Sequence, residues 1–171
     1  MNRCVFLDRD GVLNKELGYQ ITDIQDFHLM DGLKESISRL KSAGYLLVII
    51  TNQSGIAKGS YKELLVQDCF ERIQDECSQQ IDAMYFAPGH ESVSRTLMRK
   101  PDSLMFEKAI AKFKIDPLTS WMIGDKERDL IPAKKLGIKT ILVGNGSSDF
   151  ADKQVENLIL AASTIIDFSD Y

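Results

Sequence analysis

Apolar residues along this chain fall into two patterns. Five runs are apolar at almost every position: "CVFLD" (Cys4 to Asp8), "YLLVIIT" (Tyr45 to Thr51), "AMYFAP" (Ala83 to Pro88), "WMIGD" (Trp121 to Asp125) and "TILVG" (Thr140 to Gly144). An unbroken run, unlike an alternating one, predicts a strand covered on both faces, which is the situation of a parallel sheet. Between the runs, apolar residues recur at helical spacing. "DGLKESISRLKSAG" puts Leu33, Ile37 and Leu40 on one face and stops at Gly44. "SYKELLVQDCFERIQDECSQQ" is long and amphipathic, and "SLMFEKAIAKFKI" aligns Leu104, Ala109, Ile110 and Phe113. "ERDLIPAKKLG" reaches Gly137, with Pro132 tolerable only in its first turns. Strand alternating with helix predicts an α/β domain, a doubly wound and mainly parallel sheet with helices on both faces.

In such folds ligands bind beyond the carboxyl ends of the strands. Asp8, Thr51 and Asp125 each end a predicted strand, so all three are expected on one rim. Asp10 lies two residues beyond Asp8 in extended chain, so the two side chains point roughly the same way. Gly11 allows the sharp departure behind them. A single polar residue at a strand end is usually a turn former. Here four carboxylate or hydroxyl groups share one edge. Adjacent carboxylates repel, so they share a proton or bind a cation. Asp8 and Asp10 with Asp125 form an oxygen set of the type that suits magnesium.

A phosphate monoester fits this set. Its own negative charge repels a nucleophile, so catalysis has to come from positioning and charge neutralisation. Asp8 is placed to attack phosphorus and form an acyl phosphate. Asp10 is placed to protonate the leaving alkoxide and later to take a proton from water. Thr51 offers a hydroxyl to a phosphoryl oxygen, and Lys100 in "MRKP" offers a positive charge. Taken alone, a lysine at a loop end is only a solvated charge.

"DRDGVLN", "TNQSGIAKG", "RKP" and "GDKERD", in that order, resemble the four motifs of the haloacid dehalogenase superfamily of phosphohydrolases. They span Asp8 to Asp129, most of the chain. The resemblance implies Asp8 as nucleophile and Asp10 as general acid/base. It places Thr51 and Asn52 at the phosphoryl group and Lys100 as charge stabiliser. The magnesium ligands would be Asp8, the backbone carbonyl of Asp10, and Asp125. Asp129 would orient Lys100 or a metal-bound water, or simply open a helix. Only Val12 to Met30 and Gly89 to Arg99 are available for a cap domain, and neither stretch has room for a core. A single capless domain over residues 1–171 is expected.

The loops narrow the resemblance. "FLDRDGVLNKELGY" with "TNQSGIAKG" and "RKP…GDK" is similar to the D-glycero-D-manno-heptose-1,7-bisphosphate 7-phosphatases, more than to the related histidinol-phosphatases. This implies a small phosphorylated sugar as substrate. Its contacts would come from Glu16, Gly18, Tyr19, Gln53, Ser54, Arg99 and Lys126. Arg99 and Lys126 suit a second phosphate. The plain alternatives are that Tyr19 packs its loop and Glu16 is a solvated charge. The family often holds zinc between cysteines and a histidine before the lysine motif. Here "APGHESVSRTLMRKP" keeps His90 and has no cysteine, so no structural zinc is expected and His90 reads as a polar loop residue.

Composition adds exclusions. With 171 residues and a net charge of −4, the chain suits one domain and carries no basic footprint for nucleic acid. No stretch is apolar and long enough to span a bilayer, and no secretory signal opens the chain. Cys4, Cys69 and Cys77 have no paired or metal-type spacing, which suits a reducing cytosol. A phospho-accepting receiver domain also combines acids, Thr and Lys on such a sheet, but its accepting aspartate follows the third strand, which here runs into Ala87-Pro88. A silent binding domain of the same fold would be expected to have lost a carboxylate. "SGIAKGS" lacks the spacing of a nucleotide-phosphate loop, and "GNGSSD" lacks the third glycine of a dinucleotide loop. The residues leave open the oligomeric state and the role of Ile165 to Tyr171, as strand, helical lid or partner contact.

Overall fold

The computed structural model describes residues 1–93 and 96–168. The element order is β1 (Cys4–Leu7), α1 (Leu33–Ser42), β2 (Leu46–Asn52), α2 (Glu63–Glu76), β3 (Ala83–Ala87), α3 (Leu104–Phe113), β4 (Trp121–Gly124), α4 (Glu127–Lys135), β5 (Lys139–Val143), β6 (Lys153–Val155) and α5 (Leu158–Asp167). The strands form one six-stranded sheet in the order β3-β2-β1-β4-β5-β6, and every pairing is parallel. The chain reverses its direction of travel across the sheet between β1 and β4. That is the switch point where strand ends leave a crevice.

Each apolar run is split by the pleat between two cores. Val5 and Leu7, Leu47 and Ile49, and Ile123 pack with Leu33, Ile37 and Leu40 of α1, Cys69 and Ile73 of α2, and Ala161, Ala162 and Ile165 of α5. Cys4 and Phe6, Val48 and Ile50, and Met122 face the other way, onto Met105, Phe106 and Ala109 of α3 and Leu130 and Ala133 of α4. This two-sided burial is why the runs do not alternate. The Phe6 and Phe106 rings meet at 5.1 Å between centroids, at a tilt.

Two elements go beyond the pattern expected from sequence. β6 is a three-residue edge strand, largely exposed, so it has no apolar run to announce it. α5 covers the stretch left open near the carboxyl end. Asn157 caps it, its side chain accepting from Leu160 N–H at 3.1 Å. Ile165 is helical and buried in the first core. Residues 169–171 of that stretch lie outside the described residues. Pro132 stands at the sixth position of α4, so the Arg128 carbonyl loses its intrahelical donor there. Among the described residues, neither loop expected to be too short for a cap holds a strand or an α-helix. Between β1 and α1 there is one turn of 3-10 helix at Ile24–Asp26, and the described part of the loop from β3 to α3 has no helix or strand.

Candidate active site

β2, β1 and β4 are adjacent, so their carboxyl ends bring Thr51, Asp8 and Asp125 to one rim. Asp8 N–H donates to the Ile123 carbonyl at 3.0 Å, which carries the β1–β4 ladder to the edge of the site. Gly11 follows with φ +83°, in the left-handed region. A Cβ at Gly11 would stand 2.4 Å from Asp125 Oδ2. The glycine is therefore required both by the turn and by the closeness of the carboxylate.

Lys100 sits beneath this rim. It is 1 % exposed, and its Nζ contacts Asp8 Oδ1, Asp129 Oδ1 and the Ile50 carbonyl at 2.8, 2.8 and 2.7 Å. Asp129 is fully buried, and its Oδ2 also accepts from Lys126 N–H at 3.1 Å, starting α4. One carboxylate thus orients Lys100 and opens the helix. Gly124 makes room for it, since a Cβ there would be 2.5 Å from Asp129 Cβ. The Asn52 amide is bonded to the backbone of Lys100. Its Oδ1 accepts from Lys100 N–H at 2.9 Å and its Nδ2 donates to the Lys100 carbonyl at 3.0 Å.

One oxygen from each of Asp8, Asp125 and Asp129 lies within 4.8 Å of the others. Buried Lys100, with the partly exposed Lys126 3.4 Å from Asp125, does not balance three acids. Burial first, then the charge of Asp129, pushes the Asp8 carboxyl up to about 7, against the pull of Lys100. Burial and Asp129 also raise Asp125 above the usual carboxylate range. Asp125 Oδ1 is buried with no hydrogen-bond partner among the described residues. Asp129 is already committed, its Oδ1 ion-paired to Lys100 Nζ at 2.8 Å and its Oδ2 accepting from Lys126 N–H, so Asp8 and Asp125 are the better placed side chains to give an oxygen. A hard divalent cation fits this deficit of positive charge.

Asp10 is held differently. Arg9 donates to its Oδ1 from Nε and Nη2 at 3.2 and 2.8 Å, and to its Oδ2 from Nη2 at 3.1 Å. Asn14 Nδ2 donates to Oδ1 at 3.1 Å and Gln53 Nε2 to Oδ2 at 3.0 Å. Burial works against ionisation, but these donors prevail and hold Asp10 below the usual range. Arg9 and Asn14 are buried, with Arg9 lying 5.4 Å from the centre of the Phe27 ring. Neither residue was identified from sequence, although Arg9 stands inside the motif it serves.

A cavity of about 420 Å³ opens beside Asp10. Glu16, Gly18, Tyr19, Asn52, Gln53, Ser54 and Lys126 line it, together with Arg128, which sequence reasoning did not single out. Lys126 and Glu16 pair across it at 2.9 Å, both about two-fifths exposed, and Lys126 also lies 3.4 Å from Asp125. Tyr19 is 60 % exposed at the mouth. Arg99 is not on the cavity wall. Its Nη1 is buried and unpartnered among the described residues, and burial and the nearby Arg128 both lower its pKa. His90 is engaged locally: Nδ1 accepts from Ser92 N–H at 3.1 Å and lies 2.7 Å from Ser92 Oγ.

Residues 97–165 match the model of the HAD-hydrolase-like family. The chain is 36% identical over 179 residues to a D-glycero-beta-D-manno-heptose-1,7-bisphosphate 7-phosphatase of Haemophilus ducreyi, an alignment covering 99% of this chain and 97% of the relative. A Burkholderia mallei relative named for the alpha anomer is 34% identical, over 96% of this chain and 88% of its own. The fold is that of D,D-heptose 1,7-bisphosphate phosphatase from B. bronchiseptica, whose crystal structure holds magnesium and phosphate. The TM-score is 0.87 and the identity 23%, over 97% of this chain and 99% of that one. With its strand-end aspartates, buried lysine and full-length relatives, the chain belongs to the haloacid dehalogenase superfamily of phosphatases, in the family of the D-glycero-D-manno-heptose-1,7-bisphosphate 7-phosphatases.

Proposed function

We propose that this chain removes the 7-phosphate of D-glycero-D-manno-heptose 1,7-bisphosphate through a phosphoaspartyl intermediate on Asp8. The observation that carries the substrate assignment is the cavity beside Asp10. Lys126 and Arg128 line it, so it offers cations beyond Lys100, as a substrate with a second phosphate requires. Relatives matched over nearly their whole length carry that substrate in their names.

Asp8 uses its free oxygen as nucleophile. Lys100 holds Oδ1 and so sets the direction of the other oxygen. As the Asp8–phosphorus bond forms, the bond to the sugar alkoxide breaks and Asp10 supplies the proton to the leaving oxygen. In the second half Asp10 takes a proton from water, the water oxygen bonds phosphorus, and the acyl phosphate opens to restore Asp8 and release phosphate. Held below the usual carboxylate range by its donors, Asp10 favours the ionised form that this second half requires. Donating a proton in the first half requires one of its five donor contacts to be relinquished. Asp8, Asp125 and the Asp10 backbone carbonyl would hold magnesium, which when bound supplies positive charge to the phosphoryl oxygens.

Thr51, buried and 2.9 Å from Gln53 Nε2, offers its hydroxyl to the phosphoryl group, while Asn52 acts on Lys100. Glu16, Gly18, Tyr19 and Ser54 face the sugar. The residue types between Ala87 and Lys100 favour a loop held without zinc. The test is a panel of phosphate esters ranked by kcat/KM with magnesium: both heptose bisphosphate anomers, histidinol phosphate, simple sugar monophosphates and an aryl phosphate. A heptose bisphosphate should lead. Histidinol phosphate in first place would reject the substrate assignment, and no hydrolysis of any ester would reject the mechanism.

A further inference from the structure

Gln53 stands between three groups, and chemistry fixes the direction of its hydrogen bonds. Arg9 only donates, and it occupies both oxygens of Asp10. Asp10 is therefore an acceptor on both sides. The contact from Gln53 to Asp10 Oδ2 at 3.0 Å has to come from the amide NH₂. The same nitrogen lies 2.9 Å from Thr51 Oγ1 and gives its second hydrogen there. Thr51 accepts from Gln53, so its single hydroxyl proton is left to be donated outward, to a phosphoryl oxygen. The amide oxygen then faces Tyr61, whose hydroxyl lies 2.8 Å away. An amide oxygen only accepts, so Tyr61 donates.

The Tyr61 ring is itself fixed. It packs on Gly55, where a Cβ would stand 2.1 Å from ring carbon Cε1. Tyr61, Gln53 and Asp10 all line the same cavity. Tyr61 lies eight residues from Gln53, in the loop before α2, and belongs to none of the motif positions assigned from sequence.

We infer that Tyr61 is a positioning residue of this phosphatase: through the Gln53 amide it anchors Asp10 and sets Thr51 as a donor toward the phosphoryl group. The inference rests on the phosphatase reading above. With Tyr61 present, the Gln53 side chain is held at both ends, oxygen by Tyr61 and nitrogen by Asp10 and Thr51. Without the tyrosine hydroxyl only the nitrogen end is held, and the amide is free to tilt away from the two groups that must stay aligned during reaction.

The experiment compares wild type, Tyr61→Phe, Gln53→Ala and the double variant on heptose bisphosphate with magnesium, alongside their melting temperatures. Phenylalanine keeps the ring against Gly55, so folding should be retained. For Tyr61→Phe, kcat should fall about three- to tenfold, the scale of one net hydrogen bond. KM should stay within about twofold of wild type, since the loss lies in alignment rather than binding. In the Gln53→Ala background the same change should have no further effect, because the relay is already cut. An unchanged kcat in Tyr61→Phe, or a loss that multiplies with that of Gln53→Ala, would overturn the inference while an active wild type leaves the phosphatase reading standing. A wild type inactive on every ester would overturn both.

Discussion

Asn52, the last residue of β2, grips the backbone of Lys100 from both sides, accepting from its N–H at 2.9 Å and donating to its carbonyl at 3.0 Å. The pair joins two motifs 48 residues apart. Its consequence is that Lys100 Nζ reaches Asp8 and Asp129 from a fixed base, although Lys100 itself lies in a loop.

Removing this clamp should cost both stability and rate. Asn52→Ala loses two hydrogen bonds, about 1–3 kcal/mol in total. For a chain of this size that lowers the melting temperature by several degrees, about 2–4 °C per kcal/mol. Asn52→Asp should be worse, because it keeps the acceptor for Lys100 N–H but sets an anionic oxygen against the Lys100 carbonyl. Melting curves of the two variants check the order. An Asn52→Asp protein as stable as wild type would contradict the clamp.

Asp8→Asn should be inactive, because an amide forms no acyl phosphate. Its stability should show a specific pH dependence. The folded-state pKa of Asp8 is raised, to about 7, above the ordinary value of 3.8. The stabilisation from its protonated form is fully present below the unfolded value and is lost as pH rises through about 7. In chelator, wild type should therefore lose stability relative to Asp8→Asn between about pH 4 and pH 7, and the difference should level off above that range. Denaturant titrations of both proteins across that range test this, and a constant difference would show that Asp8 is not held in a site short of positive charge.

Gly11→Ala should abolish most activity without touching a catalytic side chain. A Cβ 2.4 Å from Asp125 Oδ2, at φ +83°, has no room unless the carboxylate moves. A displacement of about 1 Å at a reacting centre costs roughly a hundredfold. The magnesium dependence should shift too: chelation silences wild type, magnesium restores it, and the variant should need far more magnesium for its residual rate. A magnesium titration of both proteins separates this from simple unfolding.

Arg128→Ala should raise KM for the heptose bisphosphate and leave an aryl monophosphate nearly unaffected, since Arg128 lines the cavity away from the Asp8–Lys100 pair. Arg99→Ala should act in the same direction, through the charge it lends near Arg128. The bisphosphate effect should shrink with added salt, as a partly exposed charge contact does. Equal losses on both substrates would remove these arginines from distal-phosphate recognition.

Local chain chemistry determined a good deal of this protein. Five apolar runs marked β1 to β5, because a strand buried on both faces has to be apolar throughout. Asp8, Thr51 and Asp125 at the ends of those runs marked the rim, since parallel strands deliver their carboxyl ends to one side. Tertiary structure decided what those residues do to one another. β6 was silent because an exposed edge strand buries too little to leave a pattern. Asn52 was expected beside Thr51 at the phosphoryl group; only the tertiary structure shows that, while it lines the cavity, its amide is bonded to the Lys100 backbone 48 residues away. Asp129 could not be placed between lysine partner and helix start until its two oxygens were seen to serve both. Arg9, Asn14 and Tyr61 in loops, and Arg128 on the exposed side of the first turn of α4, gave no signal of their own, because a polar side chain off the buried face adds nothing to an apolar pattern. Their roles exist only where loops far apart in the chain converge on Asp10 and the cavity beside it.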